Sequence, residues 1–149
     1  MHKKNEGRVM PGLFLEDLSV GQSAELVRTV TEADIVAFAQ VTGDTNPVHL
    51  DADYAATTSF GERIAHGMLS AGYISAVLGT TLPGPGAVYL SQTLNFKRPV
   101  KIGAEVVARV TVTAIDEAKA RVTLDTSCLV NGKAVVGGEA VVLVPRKAA

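Results

Sequence analysis

The sequence has a single cysteine, no excess of basic residues and no apolar run of membrane-spanning length. Cys128 cannot form an intramolecular disulfide, which favours a reducing compartment. Because 14 Lys and Arg residues face 15 Asp and Glu residues, the net charge of −1 gives no general attraction to nucleic acid or anionic membrane. No apolar stretch follows the charged start, so we expect no secretory signal. These absences predict a soluble, cytoplasmic protein that binds neither nucleic acid nor membrane.

The chain does contain enough apolar residues to build one core. It has 149 residues, of which 47% are hydrophobic and 19% are charged. This length fits one domain, so we expect residues 1–149 to form a single domain. Residues 1–12 are predicted to be a flexible start, since Pro11-Gly12 marks a turn.

The first half is predicted to contain a strand followed by two helices. Weak alternation predicts a strand over 22–30. Thr31 can cap a helix whose apolar residues recur at helical spacing, and Gly43 can end it. Residues 64–78 read as a second helix with small or apolar side chains on nearly every face, which predicts a buried helix. That stretch is too short to span a membrane, which needs about 20 residues.

The second half is predicted to consist of antiparallel strands. Residues 88–96, 105–114, 121–130 and 134–144 read as strands, the first three with alternating apolar and other residues. The predicted buried faces are Val88, Leu90, Leu94 and Phe96; Val106, Ala108, Val110, Val112 and Ala114; and Val122, Leu124, Thr126, Cys128 and Val130. Asn131-Gly132 predicts a hairpin turn, and Gly137-Gly138 predicts a bulge or bend. Segregated helices and strands favour the α+β class, and one sheet would leave apolar surface for a partner subunit.

The loop after the first helix carries the candidate chemistry. Gly43, Asn46 and Pro47 interrupt helical structure, so a compact loop can bring Asp44 and His49 together. An acid and an imidazole that converge can hold one water and transfer its protons. Asn46 can fix the loop through hydrogen bonds from its side chain to the backbone.

Other interpretations of this loop stay open on the residues alone. Asp44 and Asn46 are also common turn formers, and a lone histidine in a loop is often a surface residue. A metal site from Asp44, His49 and Asp51 is conceivable, but the spacing matches none of the common zinc or calcium patterns. We expect no resident metal.

The loop sequence resembles the hydratase motif of the MaoC-like, (R)-specific enoyl-CoA hydratases. The similarity lies in Gly43-Asp44, Asn46-Pro47 and His49, and continues through 54–60, His66-Gly67-Met68-Leu69 and 94–100. It implies a hot-dog fold, a long antiparallel sheet wrapped around a central helix, with acyl-CoA bound between two subunits. The chain is most similar to the short members that supply polyhydroxyalkanoate synthesis.

The resemblance also implies roles for individual residues. Asp44 and His49 match the catalytic pair, Gly67 matches the glycine whose N–H polarises the thioester carbonyl, and Ser75 matches a serine that supports the site. Gly67 stands near a predicted helix N-terminus, where free N–H groups favour negative charge. Its alternative role, shared with Gly72, is to allow close helix packing.

Four further residues are singled out with ordinary alternatives beside them. His66 is a packed or capping histidine rather than a catalytic one, and Cys128 belongs to the core. Lys97 and Arg98 either meet the phosphates of CoA or form a solvated charge pair.

The expected function is hydration of trans-2-enoyl-CoA to (R)-3-hydroxyacyl-CoA by syn addition of water, in a homodimer and without a cofactor. The nearest alternative is a hot-dog dehydratase acting on 3-hydroxyacyl carrier protein or another acyl thioester. A thioesterase and a non-enzymatic acyl-CoA binding module are more distant alternatives, since neither explains both Asp44 and His49.

Overall fold

One antiparallel sheet and one long helix dominate the computed structural model, which describes residues 12–148. The strands are β1 (Ser23–Thr29), β2 (Val88–Gln92), β3 (Asn95–Phe96), β4 (Glu105–Asp116), β5 (Arg121–Val130) and β6 (Lys133–Leu143). The helices are α1 (Glu32–Thr42), α2 (Pro47–Leu50), α3 (Ala52–Ala56) and α4 (Gly67–Thr80), preceded by a 3₁₀ turn at Leu15–Asp17. The predicted α+β class is confirmed.

The six strands form a single sheet in the order β1-β4-β5-β6-β2, with β3 paired to β6. All strand pairs are antiparallel. Helix α4 packs across this sheet against β4, β1, β5 and β6. The edges of the sheet are therefore β1 on one side and β2 with β3 on the other, and the helix makes its most extensive contacts with β4.

The core lies between α4 and the sheet. Ile74 and Val77 of α4 are completely buried, as are Val110 and Leu124 on the facing strands. Burying a side chain of this size contributes roughly 1.5–3 kcal/mol. The alternating positions predicted to be buried on β5 are confirmed from Val122 to Cys128, with Val130 only partly buried.

The cap and the end of α1 form as predicted. The Thr31 hydroxyl accepts from the Asp34 N–H at 3.1 Å, and the Asp34 carboxylate accepts from the Thr31 N–H at 3.0 Å. The two bonds satisfy backbone donors that the first helical turn leaves free. Gly43 ends the helix with φ of 82°, which glycine adopts without steric cost.

Helix α4 begins at Gly67, so the prediction that it begins at Ile64 was wrong. Ile64 forms an isolated bridge with Lys101, and the Ala65 N–H donates to the Val100 carbonyl at 2.7 Å. These pairings hold the two residues in extended backbone. None of the described helices has both the length and the apolar character that crossing a bilayer requires.

The prediction that α4 is buried on nearly every face was also wrong for a single copy of the chain. Met68, Gly72 and Ser75 form an exposed strip along the helix, spaced at three and four residues. This exposed strip runs beside the edge strand β2. One sheet covers the opposite side of the helix only.

The predicted strand over 88–96 is divided. Strand β2 ends at Gln92, β3 covers Asn95–Phe96, and the ladder of β2 with β6 shifts register between Tyr89 and Ser91. Its predicted buried face is wrong at Val88, Leu90 and Phe96, which are exposed, whereas Leu94 is half-buried. Alternation marks two faces of a strand but does not say that either is covered, and β2 lies at the edge of the sheet.

Two irregularities in the long strands differ from prediction. The β5–β6 register runs unshifted through Gly137 and Gly138, and the shift lies at Val135 instead. A Cβ on Gly138 would collide with the carbonyl oxygen of Thr93, so this glycine lets the segment between β2 and β3 lie close against β6. In β4 a register shift after Val112 turns Ala114 to solvent, against prediction.

The predicted hairpin turn between β5 and β6 is confirmed. Asn131 and Gly132 both have positive φ, 52° and 77°, as the predicted two-residue hairpin requires. Of the predicted flexible start, residues 1–11 lie outside the described residues. Gly12 is described and packs so closely on Pro85 that no side chain would fit there.

Candidate active site

The loop between α1 and α2 is built from side-chain to backbone hydrogen bonds. The Asp44 carboxylate accepts from the Asn46 N–H at 3.2 Å, and the Asn46 side-chain oxygen accepts from the Val48 N–H at 3.1 Å. Asn46 thereby caps α2, and Pro47 occupies the first helical turn, where its missing N–H costs nothing. The loop thus directly precedes the helix that carries His49.

The structure brings Asp44 and His49 together, and His66 joins them. One carboxylate oxygen of Asp44 and one ring nitrogen of each histidine lie within 4.8 Å of one another. Asp44 is exposed, whereas His49 and His66 are 8% and 2% exposed. His49 Nδ1 lies 2.8 Å from the Ile64 carbonyl oxygen, which can only accept. Nδ1 therefore carries a proton and donates it to this carbonyl, and Nε2 is the ring nitrogen of His49 that this bond leaves free.

Two side chains from the segment before α4 hold the backbone of this pair. His66 Nε2 donates to the Asp44 carbonyl at 3.0 Å, and the ring of His66 stacks on that of His49 with centroids 3.8 Å apart. Arg63 Nε donates to the His49 carbonyl at 2.7 Å, while its guanidinium pairs with Glu32 on α1 at 2.7 Å and 3.2 Å. Segment 63–66 thus holds the main chain of both residues.

The sequence analysis did not identify Arg63, and it predicted the structural role of His66 only in part. The packed interpretation of His66 agrees with its burial. His66 also occupies the N-cap position of α4, but its side chain makes no capping hydrogen bond to that helix. Arg63 lies 31 residues from Glu32 along the chain. No local pattern marks such a contact, and only the fold shows it.

The three clustered residues are arranged poorly for one metal ion. Imidazole lone pairs lie in the ring plane, and the His49 and His66 planes are stacked at 28°. Stacked rings direct their lone pairs side by side rather than toward one point. Asp51, the third ligand considered from sequence, caps α3 instead by accepting from the Asp53 and Tyr54 N–H groups.

A cavity of about 510 Å³ opens onto the cluster. Its lining is mostly apolar, with polar groups gathered at Asp44, His49, His66, Ser70 and the basic pair Lys97-Arg98. Gly67, the first residue of α4, also lines it, and the first N–H groups of a helix have no intrahelical acceptor. The cavity therefore combines a carboxyl group, an imidazole and a helix N-terminus, as addition of water beside a carbonyl requires.

Ser75 lies outside the cavity that contains Asp44 and His49. It lines a second cavity of about 480 Å³ between α4 and β2, and it is not among the residues around the first cavity. Met68 lines both cavities, so the two adjoin. The supporting role of Ser75 stays a prediction.

Cys128 lies in the core, as predicted. Its thiol donates to the Ser70 carbonyl at 3.4 Å, and burial raises its pKa to about 12. A thiol protonated to that extent is a poor nucleophile near neutral pH.

Comparison with known proteins matches residues 18–133 to the MaoC like domain. The chain belongs to the MaoC-like family. An (R)-specific enoyl-CoA hydratase of Rhodospirillum rubrum is 58% identical over 134 residues, covering 90% of this chain and 93% of that protein. Relatives named as 3-hydroxyacyl carrier-protein dehydratases, from tomato and Arabidopsis mitochondria, are 35% and 36% identical to this MaoC-like chain.

Solved structures of two R-hydratases share the fold. The unliganded R-hydratase of Pseudomonas aeruginosa superposes with a TM-score of 0.87 at 50% identity, covering 91% of this chain and 88% of that one. The Aeromonas caviae (R)-hydratase involved in PHA biosynthesis gives 0.85 at 48% identity, with coverage of 87% and 99%. The predicted hot-dog fold is confirmed.

Proposed function

We propose that this MaoC-like protein is an (R)-specific enoyl-CoA hydratase. The observation that carries the proposal is the meeting of Asp44 and His49 at a cavity that also contains the N-terminus of α4. The 58% identity to a hydratase of that name supports the same activity. The carrier-protein dehydratases are less similar to the chain, which favours CoA as the carrier.

In the proposed mechanism Asp44 and His49 hold one water between them. One of the pair takes a proton as the water oxygen bonds to Cβ of the trans-2-enoyl thioester, and the pair returns a proton to Cα. Because both groups lie on one side of the substrate, hydroxyl and hydrogen add to the same face. The reaction leaves the oxidation state of the substrate and water together unchanged, so it needs no redox cofactor.

The Gly67 N–H would bind the thioester oxygen. Negative charge grows on that oxygen as the Cβ–O bond forms, and a fixed donor at a helix N-terminus stabilises it. One donor of this kind is typically worth on the order of 3 kcal/mol of the barrier. Lys97 and Arg98, at the same cavity, would meet the phosphates of CoA.

A homodimer would cover the apolar surface that a single copy of the chain leaves exposed. The exposed strip of α4 and the edge strand β2 present Met68, Tyr89 and Leu90 around the second cavity. Pairing this surface with a second copy would cover the apolar side chains, continue the sheet and place Ser75 at the interface. We propose one domain over 1–149, acting in the cytoplasm and supplying (R)-3-hydroxyacyl-CoA for polyhydroxyalkanoate synthesis.

The decisive experiment follows loss of the enoyl absorbance with crotonyl-CoA and octenoyl-CoA, and then determines the chirality of the product. We expect hydration with formation of the (R) enantiomer. An (S) product, or release of free CoA in place of hydration, contradicts the proposal. Equal or faster turnover of the enoyl carrier-protein substrate would instead support the dehydratase alternative.

A further inference from the structure

His66 makes one contact to each residue of the proposed catalytic pair. Its Nε2–H donates to the main-chain carbonyl of Asp44 at 3.0 Å, and its ring stacks on the ring of His49 at 3.8 Å. The side chain is 2% exposed and is also packed against Phe38, with ring centroids 4.7 Å apart. His66 is therefore fixed between α1, the loop and α2.

The other ring nitrogen of His66 has no partner. Nδ1 is buried without a hydrogen bond among the described residues. Leaving a buried polar nitrogen unpaired costs roughly 1–3 kcal/mol, and a phenyl ring of similar shape would avoid that cost. If His66 served only for packing, the unpaired Nδ1 would bring no advantage over a phenyl ring. The hydrogen bond donated by Nε2 therefore explains why this residue is a histidine.

We propose that His66 is a positioning residue for the hydration reaction. Its Nε2–H fixes the backbone at Asp44 while its ring fixes the plane of His49, so that the carboxylate and Nε2 of His49 reach the same water. His66 contributes no proton and touches no reacting atom. This inference rests on the proposed function, because it assigns His66 a part in that reaction.

The first test reads the ring protons of the wild-type protein. Nitrogen-15 NMR of the histidine rings should show His66 protonated at Nε2 and bare at Nδ1, and His49 the reverse. The chain has 3 histidines, so single substitutions assign the signals. A His66 ring protonated at Nδ1 and bare at Nε2 could not donate to Asp44, and that result would overturn the proposal even if no variant folds.

The second test separates the donor from the ring. His66→Phe keeps a ring to stack on His49 and removes the N–H, and we expect kcat to fall by about 10²-fold, the cost of a small misplacement of catalytic groups. His66→Gln restores an N–H at similar reach and should be faster than His66→Phe. Binding of butyryl-CoA and the melting temperature should stay close to wild type in both.

Tyr73→Phe is the matched control. Tyr73 lies on the same helix, is 8% exposed, and its hydroxyl is also buried without a partner among the described residues. We expect unchanged turnover. The proposal about His66 would be overturned if His66→Phe kept the wild-type kcat. It would also be overturned if His66→Gln were no faster than His66→Phe. A wild-type protein that does not hydrate crotonyl-CoA would overturn the proposed function instead.

Discussion

Gly67 leaves the space that the ring of Phe96 occupies. A Cβ on residue 67 would lie 2.7 Å and 2.8 Å from two carbons of that ring. Real Cβ atoms do not approach so closely, so any side chain at 67 must move Phe96, which is itself half exposed at the cavity. The absence of a side chain at the first residue of α4 is therefore a packing requirement beside the proposed use of its N–H.

Two substitutions at Gly67 separate these roles. Gly67→Pro removes the N–H at a helical position that tolerates proline, and its Cβ displaces Phe96 as that of alanine does. We expect kcat to fall by about 10²-fold or more, and further than in Gly67→Ala, with less effect on acyl-CoA binding. Gly67→Ala keeps the N–H and should lose activity only by displacing Phe96. In a Phe96→Ala background the cost of Gly67→Ala should therefore shrink, as a double-mutant cycle of kcat would show. Normal turnover in folded Gly67→Pro would place the donor elsewhere.

Replacing either member of the proposed catalytic pair, Asp44 and His49, should abolish most activity without unfolding the protein. Asp44→Asn and His49→Gln should each lower kcat by about 10²–10⁴-fold, and the double variant should be little worse because the two act as a unit. Asp51→Asn is the control, since asparagine caps a helix as well as aspartate does. The activity of all four variants is measured by steady-state hydration of crotonyl-CoA. Near-wild-type turnover in either Asp44→Asn or His49→Gln would contradict the proposed mechanism.

A charge on the exposed apolar surface should oppose dimerisation. Leu90→Lys places an ammonium on β2, where the proposed partner would bury it, and we expect monomers in light scattering together with reduced hydration. Val41→Lys, at a site that is 85% exposed and outside both cavities, should stay dimeric and active. A wild-type protein that is a stable, active monomer contradicts the proposed assembly.

The α1 cap should make stability depend on pH. The hydrogen bond from the Thr31 N–H lowers the pKa of Asp34 below its usual value. A lowered folded pKa gives stability that is present above the unfolded value, about 3.9, and is lost as pH falls through the folded one. Urea unfolding at pH 6 and pH 3 should therefore show a smaller pH effect in Asp34→Asn than in wild type. Thr31→Ala should cost about 1 kcal/mol at pH 6, since it removes the other half of the cap.

Cys128 should resist thiol reagents while the protein is folded. With a pKa of about 12, only about one thiol in 10⁴ is ionised at pH 8, and the side chain is also buried. We expect no reaction with an aromatic disulfide reagent in the native state and one equivalent after unfolding in urea. Fast labelling that leaves the protein folded would contradict the core position.

Local signals predicted most of the fold, and contacts between distant residues account for the errors. The Thr31 cap, the Gly43 helix end and the Asn131-Gly132 turn depend on neighbours a few residues away, and all three form. The exposure of Leu90 depends on which strand lies at the edge of the sheet, and the need for Gly138 depends on the close approach of the Thr93 backbone. Neither relationship leaves a mark in local sequence.

In the candidate site, too, the residues that lie in one local motif were predicted, whereas a residue that acts through distant contacts was not. The motif brought out Asp44, Asn46 and His49, which lie within six consecutive residues. Arg63 remained hidden because its partners are 14 and 31 residues away. Side chains that hold a site from a distant segment are visible only once the chain is folded.

The hydrogen bonds between segments 44–49 and 63–66 have a consequence for variation in this protein. Val48 and His49 pair with Ile64, Arg63 reaches His49, and His66 reaches Asp44, so the intervening residues 50–62 form an excursion closed at its base. Phe60, on that excursion, lines the cavity. Substitutions at exposed positions of this excursion, such as Phe60, would therefore reshape the entrance of the cavity for a different acyl group without breaking the hydrogen bonds that hold Asp44 and His49.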